Sequence, residues 1–235
     1  MVKRILLLSG YLVIMFSLEA QVTFKPSTHI GINAGVNINR VSFTPTVKQN
    51  LLTAASAGLV IRHLSEPHIG LQIEVNYAGK GWIENLDSIG TYRRDLQVIQ
   101  VPLQAVFVAG SKTVRLAVTL GPYFSWLRDE KETISVPDIQ DYPYYTWLKA
   151  EKGTIVVPDT RHYRAHYRQK LPGSWEFGFT GGLGIELHTK IGAFGLRASY
   201  SHSLTNLFPL NDDTFYFNAS RSQVLHAGIT YFIKL

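Results

Sequence analysis

The chain has 235 residues, no cysteine and a formal charge of +6, with 46% hydrophobic and 17% charged residues. The lack of cysteine excludes disulfides and a lipid-bearing N-terminal cysteine. Mean hydropathy is close to neutral, which suits both a soluble domain and a β-barrel whose strands are half polar.

Residues 1–20, "MVKRILLLSGYLVIMFSLEA", carry Lys3 and Arg4 ahead of a short, mostly apolar stretch that ends on the small Ala20. This is the pattern of a secretory signal peptide, with one domain over residues 21–235. No later apolar run is long enough for a transmembrane helix. In an exported chain the basic excess points to anionic lipopolysaccharide or another acidic partner, not to nucleic acid.

Eight segments read as strands: 29–38, 53–62, 69–79, 95–107, 113–127, 174–187, 191–202 and 223–235. The third shows the pattern best. Ile69, Leu71, Ile73, Val75 and Tyr77 alternate with Gly70, Gln72, Glu74, Asn76 and Ala78, so the two sets face opposite sides of a sheet. The first, fifth and sixth segments repeat it. In the fourth, Pro102 cannot donate to a ladder and predicts a bulge.

Two features choose between an apolar inside and an apolar outside. The polar sets are rich in glycine, which suits a narrow lumen. The connections also alternate in length: 39–52, 80–94, 128–173 and 203–222 are long, whereas 63–68, 108–112 and 188–190 are short. Outer-membrane barrels have short periplasmic turns and long extracellular loops. The expected fold is an eight-stranded antiparallel transmembrane β-barrel of the outer-membrane type, its apolar sets facing lipid. Trp82, Trp126 and Trp175 fall at the level of the extracellular rim, and Phe107 and Tyr231 nearer the periplasmic one.

"HIGINAGVNINRVSF", "GLQIEVNYAGKGW", "LQVIQVPLQAVF" and "LAVTLGPYFSWL" together resemble the PorT-like outer-membrane β-barrel proteins of Bacteroidota. The resemblance implies an outer-membrane location in a Gram-negative cell. The family's namesake is associated with type IX secretion, although no motif here singles out that role. The last stretch, "HAGITYFIKL", resembles the signal by which the barrel-assembly machinery recognises a final strand, with His226, Gly228, Tyr231 and Ile233 at its polar, glycine, aromatic and apolar positions.

The chemistry-bearing residues fall into three groups. Glu74, Arg115, Glu176, Glu186 and Arg197 sit on lumen-facing positions, where buried charges must pair; Arg115 and Glu186 lie near the same end. "YSHSL" at 200–204 places Ser201 and Ser203 beside His202, on the opposite strand face. Outer-membrane lipid A deacylases use a histidine and a serine two residues apart on one face, and Leu204 stands where they have serine, so a lipid-modifying enzyme is the less favoured alternative. In the longest connection "RHYRAHYRQK" gathers Arg161, Tyr163, Arg164, Tyr167 and Arg168, residue types that hold phosphate and glycan groups. His162 and His166 are four apart but lack a supporting carboxylate, so no metal is expected there. No phosphate loop, dinucleotide fingerprint or zinc pattern occurs, and no cofactor is expected. The function expected is non-enzymatic and not that of a solute pore. It is a structural, adhesion or partner-binding role carried by extracellular loops toward lipid, lipopolysaccharide, a protein or a glycan. An accessory part in a type IX-like secretion or envelope assembly is the alternative.

Overall fold

The computed structural model describes residues 24–85, 90–135, 166–167, 169–209 and 217–235. They form a closed antiparallel ring. Its long strands are β1 (Ser27–Thr44), β3 (Leu52–Leu64), β4 (Ile69–Asn85), β5 (Thr91–Gly110), β6 (Val114–Ser135), β7 (Trp175–Thr189), β8 (Gly192–Ser203) and β9 (Ala219–Lys234). Each pairs with its chain neighbour, and β9 returns to β1 from His29↔Lys234 to Thr44↔Ala219. A two-residue strand, β2 (Gln49–Asn50), adds to β4 opposite Glu84 and Ile83. These are the eight expected strands, one of them preceded by a short extra piece.

The alternation resolves as an inside-out barrel. Ile69, Leu71, Ile73, Val75 and Tyr77 are exposed on the outer wall, and Gln72, Glu74 and Asn76 are buried in the lumen. An outer wall of Ile, Leu, Val and Phe would be insoluble in water and matches lipid.

The strands are longer than expected at one end. β4, β5 and β6 have 17, 20 and 22 residues, whereas about 9–11 cross a bilayer. Residues 80–94 are therefore not a long loop: β4 and β5 remain paired from Lys80↔Leu96 to Asn85↔Thr91. The connections at 39–52, 128–173 and 203–222 shrink in the same way. Outside the apolar band the outward positions become polar, so the alternation fades from the sequence while the backbone ladder continues. The opposite end has the short turns at 65–68, 111–113 and 190–191.

Pro102 sits in a ladder that goes from Ile73↔Leu103 to Asn76↔Gln100 without a change of register, so its missing N–H interrupts the pairing and makes no bulge. The irregularity lies higher, where Gln97↔Asp129 is followed by Val98↔Leu127 and Arg128 has no opposite residue. An unopposed residue reverses the facing of a strand. Below it Phe124 and Trp126 point outward; above it Ile134 points inward into the core.

Trp126 and Trp175 pair across β6 and β7 and stack on the outer wall, 5.9 Å apart, as a rim belt requires. Trp82 does not join them. It is fully buried inside the barrel, because it shares its parity with Glu74 and Lys80 along β4. At the short-turn end Phe107 is exposed on the outer wall, and Tyr231 donates its hydroxyl to the Ile191 carbonyl at 2.6 Å.

Candidate functional site: a charged lumen under a capped mouth

The lumen is filled by ion pairs that span it. Glu74 on β4 receives both terminal nitrogens of Arg197 on β8, at 2.5 and 2.8 Å, together with Asn33, Gln72 and Asn76. This two-point fork is the strong form of an arginine–carboxylate contact. Glu176 on β7 receives Lys80 at 2.8 Å, Tyr123 at 2.6 Å and Ser222 at 2.9 Å. Glu186 receives Arg62 at 2.5 Å, and Arg62 also donates to Gln72 and lies 4.4 Å over the Phe232 ring.

Arg115 is directly opposite Glu186 in the β6–β7 register, yet the carboxylate pairs with Arg62 and His188. Arg62 is held in place by Gln72 and Phe232, whereas Arg115 is only partly buried, near His29 and His188. Between these pairs remains a cavity of about 50 Å³ lined by Gln72, Gln104, Thr180 and Arg197. That is room for water and little else.

The other end carries a cap. Glu84, buried near the top of β4, receives Trp82 Nε1 at 2.7 Å, Tyr167 Oη at 2.7 Å and His166 Nε2 at 2.6 Å. His166 is fully buried, 5.2–6.2 Å from the rings of Phe43, Trp82, Tyr92, Phe208 and Phe217. Tyr167 stacks on Tyr92 at 3.9 Å and 6°. Arg94 ties the turn down: it donates to the His166 and Gln169 carbonyls and to Glu130 at 2.9 Å. Glu130 also accepts the Leu171 N–H. The bulge at Arg128 contributes to this, because it gives the upper part of β6 the facing that brings Glu130 to Arg94.

Tyr167 therefore belongs to the cap and not to an outward recognition face, since its hydroxyl and ring are both engaged inside the mouth. Arg161, Tyr163, Arg164 and Arg168 lie outside the described residues, as does His162. Among the described residues no three His, Asp or Glu side chains gather as a metal would require. Ser201 and Ser203 are buried, the former bonded to Thr180 and the latter to the Phe177 and Thr205 carbonyls, while His202 turns to the outer wall. In the final strand His226 faces inward and meets Asn37 at 2.9 Å, Gly228 lies against Gly35 and the His226 ring, and Ile233 is exposed outside.

Lys80, Trp82, Glu84, Arg94, Arg62 and Tyr123 complete the lumen and the cap and were not foreseen as such. For Lys80, Trp82 and Glu84 a signal was present: they continue the even-numbered, inward set of β4 beyond residue 79.

The model of the outer membrane protein beta-barrel domain family matches residues 19–209. Among solved structures, the outer membrane protein OprG from Pseudomonas aeruginosa aligns with a TM-score of 0.50 and 11% identity, covering 88% of this chain and 96% of that one. Ail of Yersinia pestis aligns with a TM-score of 0.40 and 12% identity over 87% and 98% of the two chains. Neisserial surface protein A gives 0.42 and 11% over 88% and 99%. At these identities the likeness is one of fold. No curated protein sequence matches the chain.

Proposed function

The chain belongs to the outer-membrane β-barrel domain family, and from that premise we propose that it is a non-conducting barrel whose extracellular end serves recognition. The observation that carries this reading is closure at two depths. Three spanning ion pairs, Glu74–Arg197, Lys80–Glu176 and Arg62–Glu186, cross the lumen, and the His166–Tyr167 turn stoppers the mouth on Glu84. Eight strands leave an interior just wide enough for side chains, and here side chains fill it. His166, Tyr167 and Leu171 are held at the mouth by Glu84 and Glu130.

Within the family we place the chain with the PorT-like barrels of Bacteroidota, on the resemblance of its first strands, with residues 1–20 removed on export and His226, Gly228, Tyr231 and Ile233 read by the assembly machinery. The basic and aromatic stretch at Arg161, Tyr163, Arg164 and Arg168 engages an acidic glycan or protein at the cell surface. Lipid-modifying chemistry is not proposed, because His202 and its two serine neighbours occupy opposite faces of β8.

Planar-bilayer recording of the purified barrel tests the closure: silent membranes are expected, and steady single-channel steps would overturn it. For the recognition half, a soluble acidic polysaccharide should bind the wild type in a salt-sensitive way and bind the Arg161→Gln/Arg164→Gln/Arg168→Gln variant less. Equal binding would remove that half of the reading.

A further inference from the structure

On the outer wall of β8, β9 and β1, the apolar band ends at one level. On β1 the outward residues are Ile30, Ile32, Ala34, Val36 and Ile38, a nine-residue stretch, and the next outward residue is Arg40. On β9 they are Leu225, Ala227, Ile229, Tyr231 and Ile233, again nine residues, and the next two toward the mouth are Gln223 and Arg221. On β8 His202 follows Tyr200. Nine residues is about the length of one bilayer crossing by a tilted strand, so Arg40 and Arg221 stand where hydrocarbon gives way to headgroups.

The register makes them neighbours. Arg40 pairs with Gln223 and Arg221 with Ser42, so the two arginines are diagonal on one face, with backbones about 7–8 Å apart. His202 lies opposite Gln223 on the other side. Both arginines are exposed, and no ion pair or hydrogen bond of either guanidinium occurs among the described residues. The outward positions of β1, β8 and β9 carry no carboxylate. The opposite wall differs at the same height. There Arg93 is tied to Asp95 by two contacts of 2.7 Å, and Lys131 lies opposite Asp95. One wall thus balances its own charges, and the other leaves two guanidiniums facing the headgroup layer.

We propose that Arg40 and Arg221 form a binding site for a phosphate of an outer-leaflet glycolipid, with His202 at its edge and the acyl chains lying along Val36, Ile38, Tyr200 and Leu225. Two guanidiniums at diagonal positions are suited to one phosphate, which they can hold by paired, charge-assisted hydrogen bonds. The band beneath offers the apolar surface that the rest of such a lipid requires. The site depends on the mouth facing the outer leaflet, as in the orientation given above. The test does not, because it measures binding in detergent, where both ends are accessible.

The full chain, refolded in neutral detergent, is titrated with bisphosphorylated lipid A, dephosphorylated lipid A and phosphatidylglycerol, and bound lipid is counted by native mass spectrometry. Bisphosphorylated lipid A should bind the wild type best. Its affinity should fall about tenfold or more in Arg40→Gln/Arg221→Gln, and should be unchanged in Arg93→Gln. Arg40→Lys/Arg221→Lys, which retains the charge but loses the planar fork, should fall between the two. Equal affinity of wild type and double glutamine variant would overturn the proposal. So would dephosphorylated lipid A or phosphatidylglycerol binding the wild type as tightly as the bisphosphorylated form. If the glutamine variant does not refold, the comparison of the three lipids on the wild type and the lysine variant decides in the same way.

Discussion

Lys80 and Glu176 join β4 to β7 across the barrel, 2.8 Å apart, with Tyr123 and Ser222 bonded to the same carboxylate. Both are buried, so each charge is tolerated only because of the other. Lys80→Met should destabilise the barrel by about 3–5 kcal/mol, the cost of a buried charge left without its partner. Adding Glu176→Gln should recover part of that, because the neutral amide can accept from Tyr123 through its oxygen and donate to the Ser222 hydroxyl through its nitrogen. Urea unfolding in lipid vesicles measures both, and a loss below about 1 kcal/mol for the single variant would contradict the buried pair.

The facing of β6 predicts an asymmetry between two arginine substitutions. Leu120, midway along the outward apolar run from Val114 to Trp126, is exposed on the outer wall, and Leu120→Arg should cost about 2–4 kcal/mol near the bilayer centre. Thr119 faces the lumen, where it accepts a hydrogen bond from Gln104 at 3.2 Å. Thr119→Arg meets polar groups and suffers mainly from crowding, about 1–3 kcal/mol. Folding yields in bilayers should therefore be lower for Leu120→Arg. Yields equal to wild type for that variant would reverse the assigned faces.

The cap gives an optical prediction. Trp82 is fully buried beneath Tyr92 and the His166–Tyr167 turn. Tyr167→Ala removes a ring stack worth about 0.5–1.5 kcal/mol and a hydrogen bond to a carboxylate worth about 1.5–3 kcal/mol. With Trp126, Trp147 and Trp175 replaced by Phe, the remaining emission should shift to the red and become quenchable by acrylamide once Tyr167 is lost. Unchanged quenching would mean that the mouth stays closed without that turn.

Orientation is testable because the chain contains no cysteine. Thr133→Cys lies on the exposed upper part of β6, and Ser111→Cys in a short turn at the other end. A membrane-impermeant maleimide should label the first and spare the second on intact cells. The opposite pattern would invert the barrel in the membrane.

Facing was legible in the sequence because it depends on parity alone, and the odd and even sets of residues 69–78 differ plainly. Strand ends were not, because above the membrane the outward positions turn polar while the inward ones mix Trp82, Tyr92 and Ile134 with Glu84 and Arg94, so the two parities no longer differ plainly. Trp82 shows a level taken for a face: its even number places it with Glu74, inside the barrel and apart from Trp126 and Trp175. The ion-pair partners were beyond local reading. Arg115 is the residue beside Glu186, yet Arg62, 124 positions away, takes it, since a side chain in a closed ring meets those across the lumen as readily as those beside it. The cap was hidden for a further reason. The second histidine and tyrosine of "RHYRAHYRQK" look like a surface cluster until Glu84, 82 positions earlier, is known to lie beneath them.

The seam between β9 and β1 has a consequence for how the chain can be rewired. The Leu235 N–H bonds to the Thr28 carbonyl at 3.0 Å, and His29 lies opposite Lys234. The described ends thus sit side by side on the short-turn rim, joined by the same ladder as every other strand pair. For the finished ring, the place where the backbone is open is interchangeable with the turns at 65–68, 111–113 and 190–191. A short peptide from Lys234 to Ser27, with new ends cut at one of those turns, should yield the same barrel with its strands in a new order of synthesis. A different pair would then zip up last, which separates what the ring needs in order to stand from what a final strand needs in order to be recognised.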